Sequence, residues 1–336
     1  MRKNSFGGKI LFTVLAVLIA GVLASNTALA QQPTNEIPLG GGGGGAGIQG
    51  FADGGGTSVY EAGGPESLAF DGANIWVTRQ FKDAVVRLRV TDGLSVGTIA
   101  VGKRPVAVVV AGTSVWVANL ESDNVMKIRI SDGVRLGTYA VGDGPGALAY
   151  DGTNIWVTNR NSNNVTKLRA SDGARLGTYA AGRRPMGVAA LSGAIWVASQ
   201  LDDTVIKLRA KDGVKIGTYA VGDGPFGVAS DGASIWVTNF FSRNVTKLRG
   251  SDGLVLGTFT VGHDPAGISF GGSSIWIANS GENTVVRVDP TGGSVVASYS
   301  TGKGPFGVVF DGTYVWSANF GSDSVSTTNI AAGGLE

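Results

Sequence analysis

The chain of 336 residues contains no cysteine, one histidine and three methionines, and only 15% of it is charged. Without cysteine there is no disulfide, no thiolate metal site, no cysteine nucleophile and no lipoprotein-type acylation. A single histidine, His263, rules out any site that needs a histidine pair. The longest apolar run, Ile10 to Ala24, is 15 residues, short of the roughly 20 needed to cross a bilayer as a helix. Helical periodicity is missing throughout, which excludes the helical repeat families. No nucleophile triad, zinc spacing or phosphate-binding loop is found.

What is present begins with a processing signal. Arg2, Lys3 and Lys9 precede the apolar run, and Ala28–Ala30 supplies small residues for cleavage. We expect residues 1–30 to be a signal peptide cleaved after Ala30, with export to the periplasm or beyond. Loss of those three cations leaves 24 basic against 25 acidic residues, a net charge of about −1. That balance lacks the basic excess of a nucleic-acid binder. After cleavage the chain is expected not to be an integral membrane protein. Residues 31–56 include six consecutive glycines, Gly40 to Gly45, and read as a flexible tether because glycine has the most backbone freedom to lose. Residues 57–336 form the third segment.

That segment is written on a forty-residue period. All seven tryptophans, Trp76, Trp116, Trp156, Trp196, Trp236, Trp276 and Trp316, lie 40 apart, and Pro65, Pro105, Pro145, Pro185, Pro225, Pro265 and Pro305 form a second comb. Asp92, Asp132, Asp172, Asp212 and Asp252 form a third. Each unit holds four short runs rich in β-branched and aromatic residues, separated by Asp-Gly turns. In the unit from Pro145 these are Ala147–Tyr150, Asn154–Asn159, Asn164–Ala170 and Arg175–Ala181. Four antiparallel strands per roughly 40 residues describe a propeller blade. The last unit lacks a fourth run, while "TSVYEA" (Thr57–Ala62) precedes the first unit and aligns with one. We therefore expect an all-β, seven-bladed β-propeller whose last blade is completed by an N-terminal strand. The tryptophans are expected to be buried between blades, and the repeated aspartates to shape turns. Asn164 and Asn244 satisfy a glycosylation sequon, but strand-start chemistry in the repeat accounts for both.

The "WVTN" of Trp156–Asn159 and Trp236–Asn239, each followed by "NVTKL", resembles the YVTN-type β-propeller repeats and the wider virginiamycin B lyase-like group. The resemblance covers about residues 57–332. It implies, for the lyase of that group, a Mg²⁺-dependent C–O lyase that opens cyclic depsipeptides by elimination, using a histidine pair and a glutamate. With His263 alone no such pair exists, so no catalytic residue is carried over.

Antiparallel order puts the Asp-Gly turns at one end of the blades and the remaining loops at the other. Those other loops vary from unit to unit, and variation on a fixed scaffold is where recognition usually resides. They hold a basic sector (Arg104, Arg183, Arg184), an apolar sector (Met186, Phe226, Phe306), and Arg160, Phe240, Phe241, Arg243, Phe320 and His263. Arginine grips carboxylate or sulfate with two parallel hydrogen bonds. The candidate ligand-binding residues are therefore Arg104, Arg160, Arg183, Arg184, Met186, Phe226, His263 and Phe306. The expected function is an exported, monomeric binding scaffold for a protein, glycan or small anionic ligand, without cofactor. A lyase with a divergent Mg²⁺ site and a cell-surface structural repeat are the alternatives.

Overall fold

A computed structural model describes residues 35–38 and 63–330. Twenty-eight strands form seven four-stranded antiparallel sheets, and the described residues include no α-helix and one 3-10 turn, Gln80–Lys82. The third blade is representative, with strands Pro145–Tyr150, Asn154–Asn159, Asn164–Arg169 and Arg175–Ala180. These match the four runs expected from sequence to within two residues. The first strands of successive blades pack side by side around the molecule, and that of blade seven (Pro305–Phe310) packs on that of blade one (Pro65–Phe70), closing the ring. Each first strand begins at a proline of the comb, where a missing backbone donor costs the ladder nothing.

The tryptophans are the core. All seven are at most 1% exposed, sandwiched between neighbouring sheets. Trp156, for example, packs with Ile195 and Val197 of the next blade. Such burial contributes roughly 4–6 kcal/mol each as an upper bound. The polar edge of the indole is met by the turn. Asp71, Asp151, Asp231 and Asp311 accept a hydrogen bond from Nε1 of Trp76, Trp156, Trp236 and Trp316 at 2.6–2.8 Å. The same carboxylates accept the amides two and three residues on. Burial alone would raise the pKa of Asp71 and Asp151, but these donors hold both below the ordinary aspartate value. In blades two and four Ala111 and Leu191 stand in that place, and Nε1 of Trp116 and Trp196 is buried without a partner.

A cation covers the other face of six indoles. Lys127, Lys167, Lys207 and Lys247 lie 4.8–5.6 Å from the ring centroids of Trp116, Trp156, Trp196 and Trp236. Their ammonium groups donate to main-chain carbonyls of the following blade, as Lys167 does to Ala210 and Lys211 at 2.6 and 3.1 Å. Arg87 does the same toward Ile130. Arg287 covers Trp276 but turns its Nε to Ser274 of its own blade. Arg87 and the four lysines thus tie one sheet to the next while supplying a cation–π contact. The fourth strand adds an aromatic layer, because Tyr139, Tyr179, Tyr219 and Phe259 pack on the tryptophan of their own blade. Tyr139, Tyr179 and Tyr219 also lie against the next blade's Asp-Gly turn, and Phe259 against Gly293 at the corresponding place. Gly173 has φ +78, and a Cβ there would sit 1.9 Å from Tyr139, so both conformation and space require glycine.

Closure of the ring departs from the sequence expectation in one respect. The fourth strand of blade seven is Asn35–Pro38, inside the segment read as a tether, and it pairs with Ser324–Asn329 in the register Glu36↔Ser326, Ile37↔Val325. Thr57–Ala62, expected to fill that place, lie outside the described residues. Ile37 takes the position that Tyr179 holds opposite Val165 in blade three, and that Ile99 holds in blade one. It is buried with Leu68, Ile75, Trp316 and Val325, while Glu36 accepts hydrogen bonds from the hydroxyls of Ser322 and Ser324. A nearly buried ion pair, Arg79–Asp323 at 3.6 Å, spans the seam between blades one and seven. Burial raises the Asp323 carboxyl above the usual range, opposed by the Gly63 amide and Arg79.

Candidate functional site

The loops opposite the Asp-Gly turns share one backbone device. Asp83, Asp123, Asn163, Asp203 and Asn283 occupy left-handed conformations, with φ between 51 and 57 for all but Asp83 at 48. The side-chain oxygen of each accepts an amide 21 residues further on, in the next blade: Arg104, Gly144, Arg184, Gly224 and Gly304. Short Asx side chains tolerate this conformation and mimic a turn. The loops are thereby fastened blade to blade, and the side chains between the fasteners are free to differ.

Those side chains surround the mouth of the central channel. The first strands of all seven blades line a cavity of about 200 Å³, and Arg160, Met186, Phe226 and Phe306 are among its walls. Four of the eight sequence candidates are therefore brought together. Glu66 joins them. It is the residue after the first proline of the comb, in the series that includes Met186, Phe226 and Phe306. Its carboxylate lies 3.6 Å from Arg160, with both side chains about 15% exposed. Burial pushes the Glu66 carboxyl above its ordinary value, opposed by the guanidiniums of Arg160 and Arg104. Arg160 also donates to the Gly146 carbonyl at 3.2 Å, while its Nε is buried with no partner. Arg104 and Arg184 add positive charge near Arg160. Two guanidiniums, Arg160 and Arg104, thus act on one buried carboxylate.

The other side of the mouth is aromatic. Phe226 packs edge-on to Phe306 at 6.1 Å between ring centroids, although the two belong to blades five and seven. Phe240 continues the contact from Phe226 at 6.0 Å, and Phe241 from Phe240 at 5.4 Å. In the other direction Phe320 touches Phe306 at 5.7 Å and Phe81 touches Phe320 at 5.6 Å. The two ends of this arc, Phe241 and Phe81, are 65% and 56% exposed. Blade six, between five and seven, contributes Ala266 and Ser280 at the equivalent places, which leaves room for the rings to meet. Phe81 was not among the sequence candidates; its signal is that it aligns with Phe241 in the forty-residue register.

The remaining candidates lie on the rim. Arg104 is held by Gln80 Oε1 at 2.8 Å and Glu121 at 3.4 Å. Arg183 is two-thirds exposed and turned toward Asp202 and the Leu201 carbonyl. The amide and side chain of Arg183 lower the Asp202 pKa. His263 is half exposed, 3.5 Å from Arg243 and 3.6 Å from Glu282. The basic sector expected from Arg104, Arg183 and Arg184 is thus partly neutralised by local carboxylates, and the cationic wall of the channel is centred on Arg160 instead.

Fit to a divalent cation is poor. Among the described residues no three His, Asp or Glu side chains gather so as to hold a metal ion. Glu66, the carboxylate lining the channel, is surrounded by guanidiniums that repel a cation. No elimination step through Mg²⁺ follows from this arrangement.

Comparisons with known proteins agree with the architecture. A streptogramin B lyase structure superposes with a TM-score of 0.69 at 19% identity, covering 79% of this chain and 93% of that one. Virginiamycin B lyase from Staphylococcus aureus gives 0.70 at 17%, covering 80% and 95%. Hydrazine synthase of Kuenenia stuttgartiensis gives 0.69 at 18%, covering 84% and 99%. No protein-family model and no curated protein matches the chain. At these identities the likeness concerns the fold, a seven-bladed β-propeller of the kind the "WVTN" repeat suggests. The neighbours include two lyases and a hydrazine synthase, so the shared fold alone does not select a function.

Proposed function

We propose that this chain is an exported propeller whose loop face binds a ligand at the channel mouth, without catalysis of its own. The observation that carries this reading is the meeting of Arg160, Met186, Phe226 and Phe306 from four blades at one cavity. Residues with no role in the blade repeat converge where the scaffold is concave, which is the usual setting of a binding site. The partner is a protein, a glycan or a small anion. Export rests on the charged, apolar and small-residue order of residues 1–30. Cleavage after Ala30 leaves the closing strand Asn35–Pro38 in the mature chain, so processing and closure are compatible.

The test is affinity capture from an envelope extract, together with a glycan array, comparing the wild type with Phe226→Ala/Phe306→Ala. Retention by the wild type and loss by the variant supports the reading. Equal retention by both would place recognition elsewhere. Mass spectrometry of the mature protein should find Gln31 at the N-terminus.

A further inference from the structure

We infer that the cavity at the channel mouth takes a small amphipathic acid, with one ring seated among Phe226, Phe306 and Met186 and a carboxylate directed to Arg160. This rests on reading the loop face as a binding face and adds the chemical class of the ligand.

Three observations lead to it. The first is charge. Glu66 faces Arg160 with Arg104 nearby, Arg184 adds positive charge near Arg160, and Glu121 pairs with Arg104, so guanidiniums outnumber carboxylates around the mouth by three to two. Arg160 is the guanidinium that enters the cavity wall, and its buried Nε has no partner. A carboxylate entering the cavity would meet this guanidinium. Arginine's planar fork suits that acceptor. A cationic ligand would meet the same excess unfavourably.

The second is the apolar wall. Phe226 and Phe306 present two rings in an edge-on arrangement and Met186 is buried beside the channel. A ring laid against them gains the offset or edge contacts that aromatic pairs prefer.

The third is size. A cavity of about 200 Å³ exceeds the roughly 150 Å³ that accommodates benzene. It holds a ring with a short acidic arm and leaves a larger molecule on the rim. A neutral sugar would fit the volume but would leave the excess charge unanswered.

Hydrocinnamate, a phenyl ring two methylenes from a carboxylate, serves as the probe, with its neutral amide as the control. Titration calorimetry on the purified mature protein should show saturable binding of the acid, and binding of the amide about tenfold weaker or less, the factor equivalent to about 1.4 kcal/mol. Glu66→Gln should tighten the acid, because it removes the competing carboxylate. Phe226→Ala should weaken acid and amide alike. Arg160→Gln leaves Glu66 buried and unpaired, so Glu66→Gln/Arg160→Gln is the variant to compare, and it should keep less of the acid's preference over the amide than Glu66→Gln alone does. No saturable binding, equal binding of acid and amide by the wild type, or a weaker acid after Glu66→Gln would each overturn the inference. If a partner from the envelope extract still depends on Phe226 and Phe306 while the acid fails, the binding face stands and only the ligand class falls.

Discussion

The two faces of the disc are built from the same repeat and treated differently. On the turn face the side chains themselves recur, since an aspartate shapes the turn, accepts two amides and meets the indole of Trp76, Trp156, Trp236 or Trp316. On the loop face only the fastener recurs, the Asx residue in a left-handed conformation whose oxygen bridges to the next blade. The lesson is that a residue type is fixed where its side chain satisfies a buried group, and is free where the backbone alone keeps the geometry. The channel mouth is assembled from the free positions.

Breaking the scaffold common to both faces should have the largest effect. A chain beginning at Leu39 lacks Asn35–Pro38 and with it the buried Ile37. It should lose more than about 5 kcal/mol of stability, above the range for a single core truncation. An unchanged melting temperature would show that the ring closes without this strand. Next in size, Trp196→Ala removes an indole with no exposed surface and should cost about 3–5 kcal/mol in chemical denaturation. A loss under about 1 kcal/mol would contradict the burial of that ring.

The comparison sharpens at the blades where the turn-face device is missing. Ala111→Asp restores the acceptor that Trp116 Nε1 lacks and should stabilise by about 1 kcal/mol, the usual net value of a hydrogen bond. The reverse change, Asp151→Ala, should destabilise by a similar or larger amount. If both changes were neutral, the aspartate would be serving the turn alone.

The smallest effect is one of slope. Glu66 has its carboxyl raised above 4.5, so the folded state holds its proton more tightly than the unfolded one. Stability from this group is fully present below pH 4.5 and is lost as pH rises through the folded value. Relative to Glu66→Gln, the wild type should therefore lose stability between mildly acidic and neutral pH. Parallel curves for the two proteins would mean that Glu66 is not buried against Arg160 as described.

Much of this was legible in the sequence because it repeats. The tryptophan and proline combs, the Asp-Gly turns and the β-branched runs gave the blade, its strands and the ring. The closing strand was harder to find. Asn35–Pro38 lies beside a glycine tract and has no aromatic, whereas Tyr60 in "TSVYEA" imitates the tyrosine of the fourth strand. Only the three-dimensional pairing shows that Ile37, like Ile99 in blade one, occupies that place. At the site, Arg160, Phe226 and Phe306 stood out as departures from the repeat. The burial of Glu66, and the meeting of Phe226 with Phe306 across an intervening blade, depend on how the first strands converge, which no one-dimensional register displays.

The central claim is that recognition belongs to the loop face and centres on the channel mouth. Amide hydrogen exchange of the mature protein with and without its captured partner addresses it directly. Protection concentrated in residues 80–82, 104–107, 160–163, 184–187, 224–227, 240–243 and 304–307 is the predicted result. Protection confined to the Asp-Gly turns, such as residues 151–153 and 171–174, would contradict it.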